Sequence, residues 1–259
     1  MTVSLIISTY NRPEALAKVL AGVSRQTLWP GEILIADDGS AEPTRSLIDN
    51  WKNQSRVAVH HIWHADAGFR KTIILNMAIK EARGEYIVFL DGDCVPHVKF
   101  IADHEALAQK GFWVQGRRSF VKSKYVEQFD PASTAIWQWL MTGRMSGFFK
   151  AIRLPSPIIR CGTEQRGLIG CNMGIWREDL VAVNGFDESY IGWGGEDSDI
   201  GSRLYHLGRP RKFVYGHAIV YHLDHPTLSR DSYGRNRDKL QETLRLKRIR
   251  CDQGLAEHV

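Results

Sequence analysis

Gly84 to Cys94 reads GEYIVFLDGDC. Tyr86 to Leu90 is an unbroken apolar run, bounded by Gly84 on one side and Asp91-Gly92-Asp93 on the other. So short a run between such boundaries reads as a buried strand. The two acids then lie just past its carboxyl end, on one side of a turn. Carboxylates this close raise each other's pKa. A divalent cation removes the conflict, because Mg²⁺ and Mn²⁺ take carboxylate oxygens together with diphosphate oxygens. The stretch therefore predicts a strand that delivers a metal–diphosphate site.

Upstream, the same pattern repeats. Val3 to Ser8 is a buried strand, and Pro13 opens a helix whose apolar stripe is Leu16, Val19, Leu20 and Val23. Glu32 to Ala36 is a second strand, Thr44 to Asn53 a helix, Val57 to Trp63 a third strand and Thr72 to Arg83 a helix closed by Gly84. This alternation predicts an α/β layer with a mostly parallel sheet. Ligands bind beyond the carboxyl ends of such strands. Thr9-Tyr10-Asn11, Asp37-Asp38, Asp66 and Asp91-Gly92-Asp93 all fall on that rim. No G-x-G-x-x-G follows the first strand, which argues against a dinucleotide site.

Downstream of about residue 110 the rhythm changes. Phe112 to Val121 holds strands, Gly167 to Trp176 is strand-like, and Arg177 to Val183 and Asp197 to His206 are helices. Ala218 to Tyr221 is a short strand that ends at His222. Ser133 to Lys150 carries Trp137, Trp139, Met141, Met145, Phe148 and Phe149 with Arg144 and Lys150. It reads either as core or as an acceptor-side or membrane-facing flap. Arg237 to Arg250 is a basic helix with six basic and two acidic residues, either a solvated helix or a contact for anionic lipid. The expected organisation is a nucleotide-sugar half (1–110), an acceptor and catalytic half of the same domain (111–225) and a basic helical tail (226–259).

A second acidic cluster stands at Gly192 to Ile200, GWGGEDSDI. Glu196, Asp197 and Asp199 crowd together although like charges repel, after Gly192, Gly194 and Gly195 with Trp193 among them. The plain reading is an acidic first helical turn. The functional reading is a sugar site, with bare backbone from Gly194 and Gly195 and a Trp193 ring to stack on a pyranose face.

Composition is ordinary for a soluble globular protein, at 43% hydrophobic and 24% charged over 259 residues. No apolar run approaches the roughly 20 residues of a membrane span. The N-terminus shows no signal peptide, so the cytosol is expected. The four cysteines form no C-x-x-C pair, against a cysteine zinc site. A net charge of +5 permits an anionic partner without selecting one, and no nucleic-acid partner is expected.

SLIISTYNRPEAL, ILIADDGS and GEYIVFLDGDC, in this order, resemble the nucleotide half of family 2 glycosyltransferases of the GT-A fold. GCNMGIWREDLVAVNGFDESYIGWGGEDSDIGSRL resembles the acceptor and catalytic segment of β1,4-galactosyltransferases and bacterial chondroitin-type polymerases. The resemblance implies a GT-A (nucleotide-diphospho-sugar transferase) fold and transfer from a UDP-sugar to a glycan or lipid-linked glycan hydroxyl. It implies that Thr9, Tyr10 and Asn11 line the nucleoside site and that Asp38 accepts the uracil N3–H. Asp66 and Gly92 lie near the nucleotide, and Arg70 or Lys71 meets the diphosphate. Asp91 faces ribose or metal, Asp93 ligates Mn²⁺ or Mg²⁺, and His222 is the late metal ligand, with His217 and His225 as alternatives. Asp197 is the implied general base and Glu196 a hydroxyl partner, while Asp199 holds the loop or caps the helix. Such an inverting displacement needs a base on the face opposite the diphosphate, hence a second acidic cluster. One departure is Cys94 where the family often has a further acid.

The resemblance covers about residues 3 to 225, one catalytic unit, so addition of one sugar type is expected. It also implies a setting on the cytosolic face of a bacterial inner membrane, in surface polysaccharide or lipopolysaccharide synthesis. Two rivals place the acids otherwise. A haloacid-dehalogenase-like phosphatase carries D-x-D on its first strand, not the fourth. A non-catalytic sugar or nucleotide-binding module would have no use for a base.

Overall fold

Val3–Thr9 forms β1, and every one of its residues is buried, as the apolar run requires. The chain continues through α1 (Pro13–Ser24), β2 (Glu32–Asp37), α2 (Glu42–Lys52), β3 (Ala58–Trp63), α3 (Lys71–Glu81) and β4 (Tyr86–Asp91). Next come β5 (Cys94–Pro96), α4 (Phe100–Leu107), β6 (Trp113–Gln115), β7 (Arg117–Val121), α5 (Ile136–Met141), β8 (Met145–Ser146) and α6 (Phe148–Ala151). The last part is β9 (Ile158–Gly162), β10 (Asn172–Trp176), α7 (Arg177–Val183), α8 (Glu196–His206), β11 (Arg211–Tyr215), β12 (Ile219–Leu223) and α9 (Tyr233–Leu246). This computed structural model describes residues 1–226 and 231–258.

Eight strands form one sheet in the order β3-β2-β1-β4-β10-β6-β11-β9. β3, β2, β1 and β4 are mutually parallel, and β10 runs antiparallel between β4 and β6. β11 is parallel to β6, and β9 closes the edge antiparallel to β11. The sheet is therefore α/β and mostly parallel, as expected. Alternate side chains face opposite layers: Leu5 and Ile7 of β1 join one buried cluster and Ile6 the other. A four-stranded sheet, β5-β12-β7-β8, lies beside it.

Several elements differ from the sequence expectation. Gly167, at φ +76°, lies in a loop, so the strand expected from Gly167 is only Asn172–Trp176. The basic helix starts at Tyr233, four residues before the expected Arg237, and ends where Lys247 turns left-handed at φ 49°. Of the expected tail, residues 227–230 and 259 lie outside the described residues. α9 packs on α8: Thr243 Oγ1 donates to Asp199 Oδ1 at 2.8 Å, and Lys239 Nζ donates to the Ser189 carbonyl. The aromatic stretch is part core and part surface. Trp139 and Met145 are buried, whereas Trp137, Met141 and Phe149 are exposed at 57, 66 and 83%.

Candidate active site

The carboxyl ends of β1, β2 and β4 make one rim. Parallel pairing sets Ser8 opposite Asp91, and Ser8 Oγ donates to Asp91 Oδ1 at 2.8 Å. Lys71, at the start of α3, donates to the same oxygen at 2.6 Å. Gly92 crosses β1 closely, its N–H bonded to the Ser8 carbonyl at 2.7 Å. Thr9 is buried beneath this turn.

Along β2, Asp38 is buried. His64 Nε2 lies 2.7 Å from its Oδ1, and the Arg70 N–H donates to its Oδ2 at 2.9 Å. Burial raises the Asp38 carboxyl above the ordinary range, although the His64 and Arg70 contacts oppose this. Asp66 accepts the Tyr10 hydroxyl at 2.9 Å and the Gly68 N–H at 3.0 Å. Asn11 joins two loops: its N–H donates to Ser40 Oγ and its Oδ1 accepts the Ala41 N–H, both at 2.8 Å. The Arg70 guanidinium donates to the Ala65 carbonyl at 2.8 Å.

Asp93 collects cationic partners. Arg12 Nη1 and His225 Nε2 each stand 3.1 Å from its Oδ2, and His222 Nε2 lies 3.7 Å from its Oδ1. Burial alone would raise this carboxyl, but the His225 bond and the charges of His222, His225 and Arg12 hold it well below the ordinary range. Strand pairing explains the meeting. β12 runs antiparallel to β5 with His222 opposite Cys94, and the Leu223 N–H bonds the Asp93 carbonyl at 2.8 Å. Asp93, His222 and His225 each offer a ligand atom, all within 4.8 Å of one another. His222 Nδ1 is buried with no hydrogen-bond partner among the described residues. One carboxylate and two imidazoles suit a first-row divalent cation. Asp91 stands outside this trio, its Oδ1 already taken by Lys71 and Ser8. His217 is turned to Asp103, at 3.2 Å.

The second acidic cluster opens α8. Gly195, at φ +99°, precedes the helix, a conformation that favours glycine. The Gly170 N–H donates to Asp197 Oδ2 at 2.7 Å, and a Cβ at Gly170 would overlap that carboxylate. Glu196 is 7% exposed, and its Oε2 has no hydrogen-bond partner among the described residues. Burial, and then the neighbouring Asp197 charge, push Glu196 up to about 7. Burial also raises Asp197, against the pull of Lys71. Asp199 has a different task. It pairs with Arg203 at 2.7 Å and accepts Thr243 Oγ1, inside the core. Trp193 stacks on Tyr233 with ring centres 6.1 Å apart, beside Gly194.

Lys71 joins the two acidic clusters. Burial would lower its pKa, but the charges of Asp91, Asp197 and Glu196 raise it well above the ordinary lysine value. Asp91 and Asp197 likewise sense each other's charge. The structure thus brings Asp91, Lys71, Glu196 and Asp197 into one electrostatic unit, with Asp93 and its histidines one turn away. Sequence reasoning missed Arg12, His64, Gly170 and Arg118, whose Nη1 lies 3.8 Å from Cys171 Sγ and whose charge reaches Asp197. Arg12 precedes Pro13, directly after the Thr9-Tyr10-Asn11 cluster, and that position was its only signal.

The family described as "Glycosyl transferase family 2" matches residues 4–178, and "N-terminal domain of galactosyltransferase" matches residues 156–226. A chondroitin synthase of Escherichia coli is 27% identical over 241 residues, which cover 86% of this chain and 35% of that protein. The chain therefore spans about a third of the length of that relative. The structure of S. aureus TarS 1-349 in complex with UDP superposes with a TM-score of 0.66 at 16% identity, covering 100% of this chain and 68% of that one. A mannosyltransferase from Pyrobaculum calidifontis in complex with GDP-Man and Mn²⁺ gives 0.59 at 19% identity, covering 95% and 64%. No helix among the described residues is long and apolar enough to cross a membrane. The chain belongs to glycosyl transferase family 2 and has the GT-A fold.

Proposed function

We propose that the chain is a metal-dependent, inverting glycosyltransferase that moves a sugar from a UDP-sugar to a glycan hydroxyl. The setting we infer is bacterial surface polysaccharide or lipopolysaccharide synthesis. The observation that carries this is Lys71, held between Asp91 on the donor side and Glu196 and Asp197 on the other. In this reading residues 1–110 bind the nucleotide sugar, and 111–225 bind the acceptor and carry the base.

Asp93, His222 and His225 would hold the cation. Two imidazoles weigh toward Mn²⁺ over Mg²⁺, and the related fold crystallised with Mn²⁺ agrees. When bound, the ion neutralises charge that develops on the leaving diphosphate. Lys71 adds a fixed positive charge at Asp91, next to the same phosphates. Asp38 and Tyr10 line the nucleoside end. Asp38 offers a carboxylate to a uracil N3–H, and Tyr10 offers a ring 42% exposed.

Asp197 takes the acceptor hydroxyl proton. Burial and the Asp91 charge make it more basic than a surface aspartate, and Gly170 fixes one oxygen, leaving the other for the hydroxyl. Glu196, with a free buried oxygen, holds a neighbouring hydroxyl. Trp193 and Gly194 form the floor for the sugar. A phosphatase or a passive binding module is set aside, because the chain belongs to glycosyl transferase family 2 and the D-x-D lies on β4, not on a first strand.

We place contact with an anionic inner-membrane surface at Trp137, Met141, Phe148 and Phe149, not at the α9 tail. Trp137 to Ile152 contains Arg144 and Lys150 and no acid, which complements anionic lipid. The test of the catalytic reading is a panel of nucleotide sugars with UDP release measured with and without Mn²⁺. Release that needs Mn²⁺ supports it; release unaffected by chelation overturns the metal assignment.

A further inference from the structure

A cluster of arginines lies outside the site described, at the β9–β11 edge of the large sheet. β11 places Arg211, Phe213 and Tyr215 at alternate positions, hence on one face. On β9, Arg160 sits directly opposite Phe213. Arg117, from the start of β7, lies over the rings of Phe213 at 4.0 Å and Tyr215 at 4.3 Å, and Arg211 lies over Phe213 at 4.6 Å. Arg160, Arg166, Arg211 and Phe213 line an open cavity of about 70 Å³, several times what one water needs.

This positive charge is only partly countered, by the Glu164 charge near Arg211. Among the described residues none of Arg117, Arg160, Arg166 and Arg211 forms an ion pair with a carboxylate. Arg211 is 3% exposed and donates only to neutral oxygens: Gln115 Oε1 at 3.0 Å and the carbonyls of Glu164 at 2.8 Å and Arg166 at 3.1 Å. Arg117 donates to the Tyr215 hydroxyl at 2.6 Å, and its buried Nε has no partner among the described residues. Burial lowers Arg117, and the Arg211 charge adds to this against the help of Tyr215. Glu164 is the one acid in the cavity lining. Buried cations are costly unless an anion meets them, and stacked guanidiniums suit planar or tetrahedral oxyanions.

The cavity is wired to the base. Gln115, which accepts Arg211 Nη1, also holds the loop after β9: its Nε2 donates to the Gly167 carbonyl at 2.8 Å, and its Oε1 accepts the Ile169 N–H at 3.4 Å. That loop ends at Gly170, the donor to Asp197.

We propose that the arginine-lined cavity at the β9–β11 edge is an oxyanion subsite for the acceptor glycan, binding a carboxylate carried on the sugar chain. This rests on the glycosyltransferase reading, and it assigns the enzyme an anionic acceptor or product. The test is calorimetric titration of the full chain with a uronate hexasaccharide, a neutral glucose hexasaccharide and inorganic sulfate. The comparison is with the Arg160→Ala/Arg166→Ala double variant, whose changes are both on exposed side chains. The subsite requires that the uronate chain bind, that the neutral chain bind at least tenfold more weakly, and that the double variant lose roughly tenfold or more in uronate affinity at an unchanged melting temperature. Equal binding of the neutral chain, no uronate binding, or uronate binding untouched by the double substitution would each overturn it. Sulfate binding as tightly as the uronate chain would overturn the glycan assignment and leave a free-ion site. None of these readings needs turnover, so a failure of the glycosyltransferase reading, seen as no UDP release from any donor, is told apart.

Discussion

Replacing Glu196 by glutamine should stabilise the metal-free protein, by an amount that grows as pH rises above about 4.5. Glu196 is buried, its Oε2 has no partner among the described residues, and its carboxyl is pushed from 4.5 up to about 7 by burial and then by the Asp197 charge. The folded protein therefore keeps a proton that the unfolded chain gives up between pH 4.5 and about 7. Stability falls as pH rises through that window, because the folded state binds more protons there. The full interval corresponds to roughly 3 kcal/mol, absent below pH 4.5 and fully expressed above pH 8. Glutamine keeps the size and loses the charge. Glu196→Gln should thus match wild type near pH 4 and exceed it by up to about 3 kcal/mol at pH 8, several degrees in melting temperature for a chain of this length. Urea or thermal melts at pH 4, 6 and 8 with chelator present read this directly. A difference that does not change with pH, or a variant less stable at pH 8, would refute the claim that this acid is held against its electrostatic preference.

Further outcomes follow from the same geometry. Asp93→Ala should lose more than the roughly 10–100-fold in Mn²⁺-dependent UDP affinity that removing an outer partner costs, read by calorimetry. An unchanged titration removes Asp93 from the metal site. Gly170→Ala should disable transfer while Mn²⁺–UDP still binds, because the new methyl meets the Asp197 carboxylate; full activity would show that this contact has no role. Phe149→Ser with Trp137→Ser should weaken co-sedimentation with phosphatidylglycerol vesicles and leave UDP binding intact. Unchanged sedimentation, or a patch buried in a dimer seen by analytical ultracentrifugation, would move the membrane contact elsewhere.

Much of the donor rim was legible because local pattern decides it. β1 is buried at every position and β4 at every position but Asp91, and the polar residues that follow their apolar runs could only lie at the strand ends. The half after residue 110 was less so. β5 is three residues long, too short for any period, yet its pairing with β12 sets His222 beside Asp93 and His225 with it. Nothing local chose among His217, His222 and His225. Only strand register did, turning His217 to Asp103. In EDSD, Asp199 was expected to hold the loop or cap the helix, and Arg203 four residues after it was the signal that this acid belongs to the core. β9 and β11 were missed because arginines and lysine break their apolar pattern. The tail read as a separate basic helix because its contacts with α8 and the loop before it depend on Thr243 and Asn236, which carry no apolar period.

The most direct measurement is the Asp197→Asn variant with Mn²⁺, assayed for UDP binding and for sugar transfer on one preparation. A donor site and a separate base across one cleft require UDP affinity close to wild type with transfer down by about 10²–10⁴. Transfer at the wild-type rate, or loss of UDP binding together with transfer, would contradict that division of labour.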